Sequence, residues 1–317
     1  MRFFISADIK KNRALFYAVI FFMVFSFLFW VASFLHFYSK YGFSQESLRS
    51  YFFVDPQLGE RVSIAQISED FHVGVFLQGM VLLMLFSLLN LTHWSQKLKL
   101  SLIISTSLFA LFYLSSDFLV LLIGPSSAFL KILGFLLYQV TFLLVWLLTF
   151  YSLLSGKNSR APKPQSLKLL VLVFSLFSLF FLLSNFLNFH TKMGFGVQGI
   201  RDYFLGNPEL FIKRKSFEGF FKVFYPHLVA MSIYAFALAH LLPFGGTNRS
   251  KTLFLGFSLF SLSFFDNLSG LLLLYLSPNF AYLKLFSFWG FQLLALSCSL
   301  LLLTASLRKE NYPSLYL

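Results

Sequence analysis

Charge is scarce in this chain, and negative charge scarcer still: 12 Asp and Glu stand beside 25 Lys and Arg among 317 residues. The charged share, 12%, is roughly half that of ordinary soluble domains. With 58% hydrophobic residues, the chain could not hide its apolar surface in one water-borne core. A bilayer is the solvent that suits such a composition. Cysteine is nearly absent. The single Cys298 excludes an intramolecular disulfide, a CxxCH haem attachment and a cysteine-held cluster, and reads as a small side chain in an apolar run. Proline scarcely interrupts the apolar runs, which goes against the broken-helix sites of many transporters. Walker A, GxSxG, HExxH and CxxC sequences are all missing, so no motif names a reaction.

What is present is length and apolarity. Eight apolar segments, near 14–38, 72–92, 100–123, 128–155, 168–190, 224–243, 252–276 and 281–306, are each long enough to span a bilayer. The first follows Arg2, Lys10, Lys11 and Arg13 but is too long for a signal-peptide core and lacks a clear cleavage site, so it reads as a retained helix. Basic residues set the orientation. With the N-terminus inside, the cytoplasmic segments carry 14 of the 25 basic residues against only Asp8 and Glu310. The outer segments pair nine basic residues with eight acids. This pattern predicts both termini in the cytoplasm, in a membrane of the bacterial inner (plasma) type. The formal charge of +13 is then a topological signal and not a nucleic-acid footprint; the expected partners are the lipid bilayer and other membrane subunits.

The chain also repeats itself. Gly42 to Pro56 reads GFSQESLRSYFFVDP and Gly194 to Pro208 reads GFGVQGIRDYFLGNP, sharing Gly, Phe, Arg, Tyr, Phe and Pro at an offset of 152. PSSAFLKILGFLLYQ from Pro125 matches PNFAYLKLFSFWGFQ from Pro278 at an offset of 153. Shared Arg, Lys, Gln and Pro are not explained by the chain's apolar bias. The expected fold is all-α: two tandem, parallel four-helix repeats, residues 1–156 and 157–317, joined through the polar stretch Ser155–Ser166. Each repeat has a long outer loop, about 39–71 and 191–223, with a short amphipathic helix ended at Asp55-Pro56 or Asn207-Pro208. Phe217, Phe220, Phe221 and Phe224 form a further stripe expected to lie in the headgroup layer.

Four charges fall within the apolar segments: Asp117, Lys131, Asp266 and Lys284. An intramembrane charge is a functional candidate by default. Each acid and its lysine also lie at similar depth across a tight hairpin, which predicts one Asp–Lys clasp per repeat. In the outer loops, Arg49 with Tyr51 and Arg201 with Tyr203 have the chemistry to hold a carboxylate or lipid phosphate, or to anchor the loop on its own carbonyls. Gln139 and Gln292, also repeat equivalents, read as interhelical hydrogen-bonding groups.

The histidines break the symmetry. His36, His72, His190 and His227 fall at outer ends of apolar segments, His93 and His240 at inner ends. His227 and His240 are 13 residues apart, about 20 Å along a helix. That spacing resembles the paired haem-ligand histidines of the cytochrome b family, over this one segment only. The resemblance implies b-type haem held by His72 with His227 and by His93 with His240, between the second and sixth apolar segments. A metal site from His36, His72, His190 and His227 is a variant. Against both, the repeat places Gly74 opposite His227 and Ser87 opposite His240, and histidine is at home at a membrane interface. Three readings stay open: a redox or cofactor-holding membrane subunit, a transporter or lipid-handling protein with a path between the repeats, and a scaffold or assembly subunit.

Overall fold

The computed structural model describes residues 13–53, 61–155 and 164–308. The described chain is helical throughout, in the order α1 (Arg13–Tyr41), α2 (Gln45–Phe52), α3 (Ile64–Asn90), α4 (Gln96–Ile123), α5 (Phe129–Ser155), α6 (Pro164–Met193), α7 (Val197–Leu205), α8 (Phe217–Leu241), α9 (Arg249–Tyr275) and α10 (Phe280–Leu307). All but the short α2 and α7 are long and apolar enough to cross a bilayer, giving eight candidate spans. The described residues divide into two compact units, one reaching Phe174 and the other starting at Ser175, inside α6. The boundary expected at 156/157, most of the Ser155–Ser166 linker, and Asp55-Pro56 lie outside the described residues.

Local chemistry starts and stops the helices alike in both units. Ser63 and Ser216 stand 153 residues apart and cap α3 and α8, their hydroxyls accepting the amides of Gln66 and Gly219. Ser95 and Asn248 do the same for α4 and α9. Gly42 (φ 67°) and Gly194 (φ 63°) end α1 and α6 in the left-handed region, each amide donating to the carbonyl four residues back, of Tyr38 and His190. The chain then turns into α2 or α7, each of which presents two buried apolar residues, Leu48 and Phe52 or Ile200 and Phe204.

Beneath these short helices lie two apolar cores that correspond residue by residue. Phe37, Leu48 and Phe52 in the first match Phe189, Ile200 and Phe204 in the second at an offset of 152. Ile67, Val120, Ala128 and Phe135 match Phe220, Leu273, Ala281 and Phe288 at 153. At the centre of each, two phenylalanines stack: Phe37 on Phe135 at 4.1 Å and Phe189 on Phe288 at 3.7 Å. Lipid is as apolar as these rings, so close packing and interhelical hydrogen bonds hold the helices together. Trp146 donates to the Met23 carbonyl (2.8 Å) and to Ser26 (3.2 Å), tying α5 to α1. The counterparts of Ser26 and Trp146, Ser178 and Ser299, are bonded at 2.7 Å between α6 and α10.

Two expectations need correction. The Phe217–Phe224 stripe is not a separate interfacial helix. It forms the first turns of α8, which continues through Pro226 to Leu241, because Phe220 is drawn into the core beside Phe204. Similarly, α3 starts eight residues ahead of the apolar run that ends in it, since Ser63 caps it and Asp70 has a cationic partner.

Candidate functional site

The charged groups come together within each unit, near its α2 or α7 end. In the first unit, Lys131 on α5 points back across the hairpin to α4. Its Nζ lies 2.5 Å from Asp117 Oδ1 and donates to the Tyr113 carbonyl at 3.2 Å. Both side chains are nearly sealed, 3% and 6% exposed. Tyr41 donates its hydroxyl to the other carboxylate oxygen (3.2 Å), and the ammonium sits over the rings of Tyr113 (4.2 Å) and Tyr41 (5.0 Å). Carboxylate, phenol and aromatic faces together replace the water that the lysine loses.

In the second unit Lys284 Nζ lies 2.9 Å from Asp266 Oδ1 and donates to the Asp266 carbonyl. The lysines are repeat equivalents, and so are the carbonyls they reach, Tyr113 and Asp266, both 18 residues before the lysine. The acids are not equivalents. Asp117 is one helical turn beyond Tyr113, whereas Asp266 occupies Tyr113's own place. At Asp117's place stands Gly270, where a Cβ would meet the rings of Phe220 and Phe204 at 3.0 and 3.1 Å. The two copies therefore satisfy one lysine from two successive turns of the facing helix.

Arg49 and Arg201 reach the same hairpin from above. Arg49 Nε donates to the Pro125 carbonyl (3.1 Å) and Arg201 Nε to the Pro278 carbonyl (3.3 Å), with Arg201 Nη2 also on Asn279 Oδ1 (3.4 Å). Each arginine thus pins its short helix to the turn between the next two spans. Tyr51 packs edge-on against Tyr41, and Tyr203 lies under the Lys215 ammonium at 4.3 Å. Burial, then the charges of Asp70 and Asp117, push the Tyr51 phenol above its ordinary pKa, so it is a neutral hydroxyl. Gln139 donates to Ser33 (2.6 Å), whereas both side-chain amide atoms of buried Gln292 lack a hydrogen-bond partner among the described residues.

Sequence reasoning missed two cations. Lys40 pairs with Asp70 at 2.5 Å and lies over the rings of Tyr41 and Tyr51, extending the first unit's cluster toward its surface. Lys99, one residue before the apolar segment expected at 100–123, is buried and donates to the carbonyls of Asn90 (2.9 Å) and Thr92 (2.6 Å), closing the end of α3. The available signal was position: Asp70 falls within the helical register of α3, and Lys99 in the first turn of α4.

The histidines fall in both units. His72 and His93 belong to the first unit, His227 and His240 to the second. His72 is buried on α3. His93 lies beyond the end of α3, in the turn to α4, its Nδ1 3.0 Å from Ser152 Oγ. On α8, the Nδ1 of His227 is 2.9 Å from the Val223 carbonyl, and His240 stacks on Phe236. Among the described residues no three His, Cys, Asp or Glu gather as a metal site needs.

Eight spans in two duplicated units, each clasped by an ion pair, define a multi-pass integral membrane protein. A family model described as Aq_1264_TM, a transmembrane helical domain, matches residues 42–161 and again 194–313. The chain belongs to this family. Both matches begin at the glycines that end α1 and α6, yet the paired contacts of Phe37 and Phe189, and of Ser26 and Ser178, carry the duplication back into those two helices. No curated protein and no solved structure matches the chain.

Proposed function

We propose that this protein is a membrane-embedded scaffold, an assembly subunit whose duplicated helical units offer two equivalent faces to other membrane components. One observation carries the reading: the charged groups that recur in both copies serve their own unit. Lys131 and Lys284 close on Asp117 and Asp266, and Arg49 and Arg201 close on the carbonyls of Pro125 and Pro278. Orientation belongs to the same proposal. The excess of Lys and Arg in alternate connections favours cytoplasmic termini in a membrane of the bacterial inner type.

The test compares native electrophoresis of detergent-extracted membranes from cells carrying wild-type protein with those carrying Asp117→Asn/Lys131→Met. A scaffold migrates in an assembly well above its own 36.6 kDa mass, and the charge-free pair leaves that assembly intact. Migration of the wild type as a lone chain would sink the proposal. Loss of solute uptake in the well-folded double variant would favour transport through the first unit.

A second reading, a subunit holding b-type haem with His227 as an axial ligand, is favoured by one contact. The His227 Nδ1 bond to the Val223 carbonyl is the arrangement by which axial imidazoles are commonly oriented. An absorption spectrum of the purified protein decides it: a Soret band lost on His227→Ala supports haem, and a preparation that stays colourless on haem addition excludes it.

A further inference from the structure

The connection between α7 and α8 carries the least sheltered aromatic side chain of the described protein. Asn207 and Ile212 exchange backbone hydrogen bonds (2.9 and 3.0 Å), closing a small hairpin around Pro208, Glu209, Leu210 and Phe211. Phe211 is 94% exposed, and Leu210 beside it 60%. The backbone of Phe211 is left-handed, at φ 56°, a conformation that bulky residues avoid. Three basic residues follow directly: Lys213, Arg214 and Lys215.

The hairpin is held rigid at its base. Arg214 donates to the Leu274 carbonyl at the end of α9, and the Lys215 amide to the Phe204 carbonyl at 3.0 Å. Gly206, at φ 83°, admits no side chain, since a Cβ there would meet Arg214 N at 2.6 Å and Ile212 O at 2.8 Å. The first copy has Val54 at that place. Counting from the shared Pro-x-Leu, it also has Gly59 where the second has Phe211, and Glu60-Arg61-Val62 in place of Ile-Lys-Arg-Lys. The apolar tip, the basic run and the glycine that lets them fold are thus properties of the second copy alone.

We propose that this hairpin is a lipid-reading wedge: Leu210, Phe211 and Ile212 enter the acyl–headgroup boundary, and Lys213 with Lys215 holds anionic phospholipid headgroups. Two features select this occupant. The hairpin is pinned to the end of a membrane-spanning helix, which sets it at headgroup depth. Its chemistry is an apolar point backed by cations, with Glu209 the one acid within the turn, and this complements an anionic bilayer surface. The second unit would then prefer anionic lipid around it.

Phe211→Cys in a Cys298→Ser background, labelled with an environment-sensitive fluorophore, tests this in vesicles of phosphatidylcholine with and without phosphatidylglycerol. The expected result is quenching by lipid-borne nitroxides near the headgroups, at least twofold stronger when phosphatidylglycerol is present. Lys213→Gln should shrink that difference, and a label at Gln198→Cys on α7 should respond to aqueous iodide instead. Iodide quenching at 211 equal to that at 198 in both bilayers overturns the proposal. So does shielding from both quenchers, which would mean that protein covers the tip. Ile212→Cys gives an independent reading should the label at 211 disturb the turn.

Discussion

At Lys131 the membrane interior holds a full charge with almost no access to solvent. The ammonium is tolerated because Asp117, Tyr41, Tyr113 and a backbone carbonyl surround it. Removing one partner leaves the other charge buried alone, a loss of about 3–5 kcal/mol, whereas removing both is nearly neutral. Lys131→Met should therefore lower thermal stability in detergent sharply, and Asp117→Leu/Lys131→Met should recover most of it. The same pair of experiments at Lys284 and Asp266 should give a smaller loss, because those side chains are 12% and 16% exposed. Equal losses at the two sites would contradict the role given to burial. The Tyr51 phenol adds a pH dependence. Its pKa is raised in the folded state, so its contribution to stability is complete below about pH 10 and declines as the pH rises further. Tyr51→Phe should flatten the alkaline limb of a stability-against-pH curve and leave neutral pH unchanged.

Among the elements, caps and pins decide where the helices begin and how the short ones lie. Ser63→Ala and Ser216→Ala should each cost about 1 kcal/mol, the ordinary value of a serine cap. Denaturant titrations of the two variants should give similar shifts if the units are as alike as their caps. Arg49→Ala removes the bond to Pro125 and should loosen α2 over the first core, a loss of about 1 kcal/mol. Faster amide exchange confined to residues 45–53 would register it. Arg49→Lys should not restore the bond, since Nε is the donor and lysine has no equivalent group there. Much of this level was legible in the sequence. The shared GF…R-x-Y-F…P pattern announced a short helix with one apolar face, and Leu48, Phe52, Ile200 and Phe204 are its buried residues. The Phe217–Phe224 stripe shows where such reading fails. An apolar stripe looks the same whether it rests on lipid or on protein, and the core contact of Phe220 decided between them.

For the whole molecule, the duplication extends over four spans per copy and not only the three within each family match. The stacks of Phe37 on Phe135 and Phe189 on Phe288 bring α1 and α6 into the repeated unit. Topology can be tested at this scale. Cysteines at Gln45 and Gln198, in the Cys298→Ser background, should react with an impermeant thiol reagent added outside intact cells, and one at Ser250 should not. The opposite labelling would reverse the proposed orientation.

The number of spans, the all-helical class and the tandem repeat were determined by the sequence alone, because apolar length, capping residues and a constant offset are local properties of the chain. The meeting of Asp117 with Lys131, and of Asp266 with Lys284, was likewise foreseeable from depth across a short hairpin. Tertiary structure decided which turn of the facing helix supplies the acid: Asp117 in one copy and Asp266, a turn earlier, in the other. It also decided that Gly270 yields its space to Phe204 and Phe220, and that Lys99 and Lys40 are drawn out of the loops. The reason is physical. Side-chain type and spacing say that a group must find a partner, but several residues on adjacent turns lie within a lysine's reach. Only the packing of neighbouring helices selects among them.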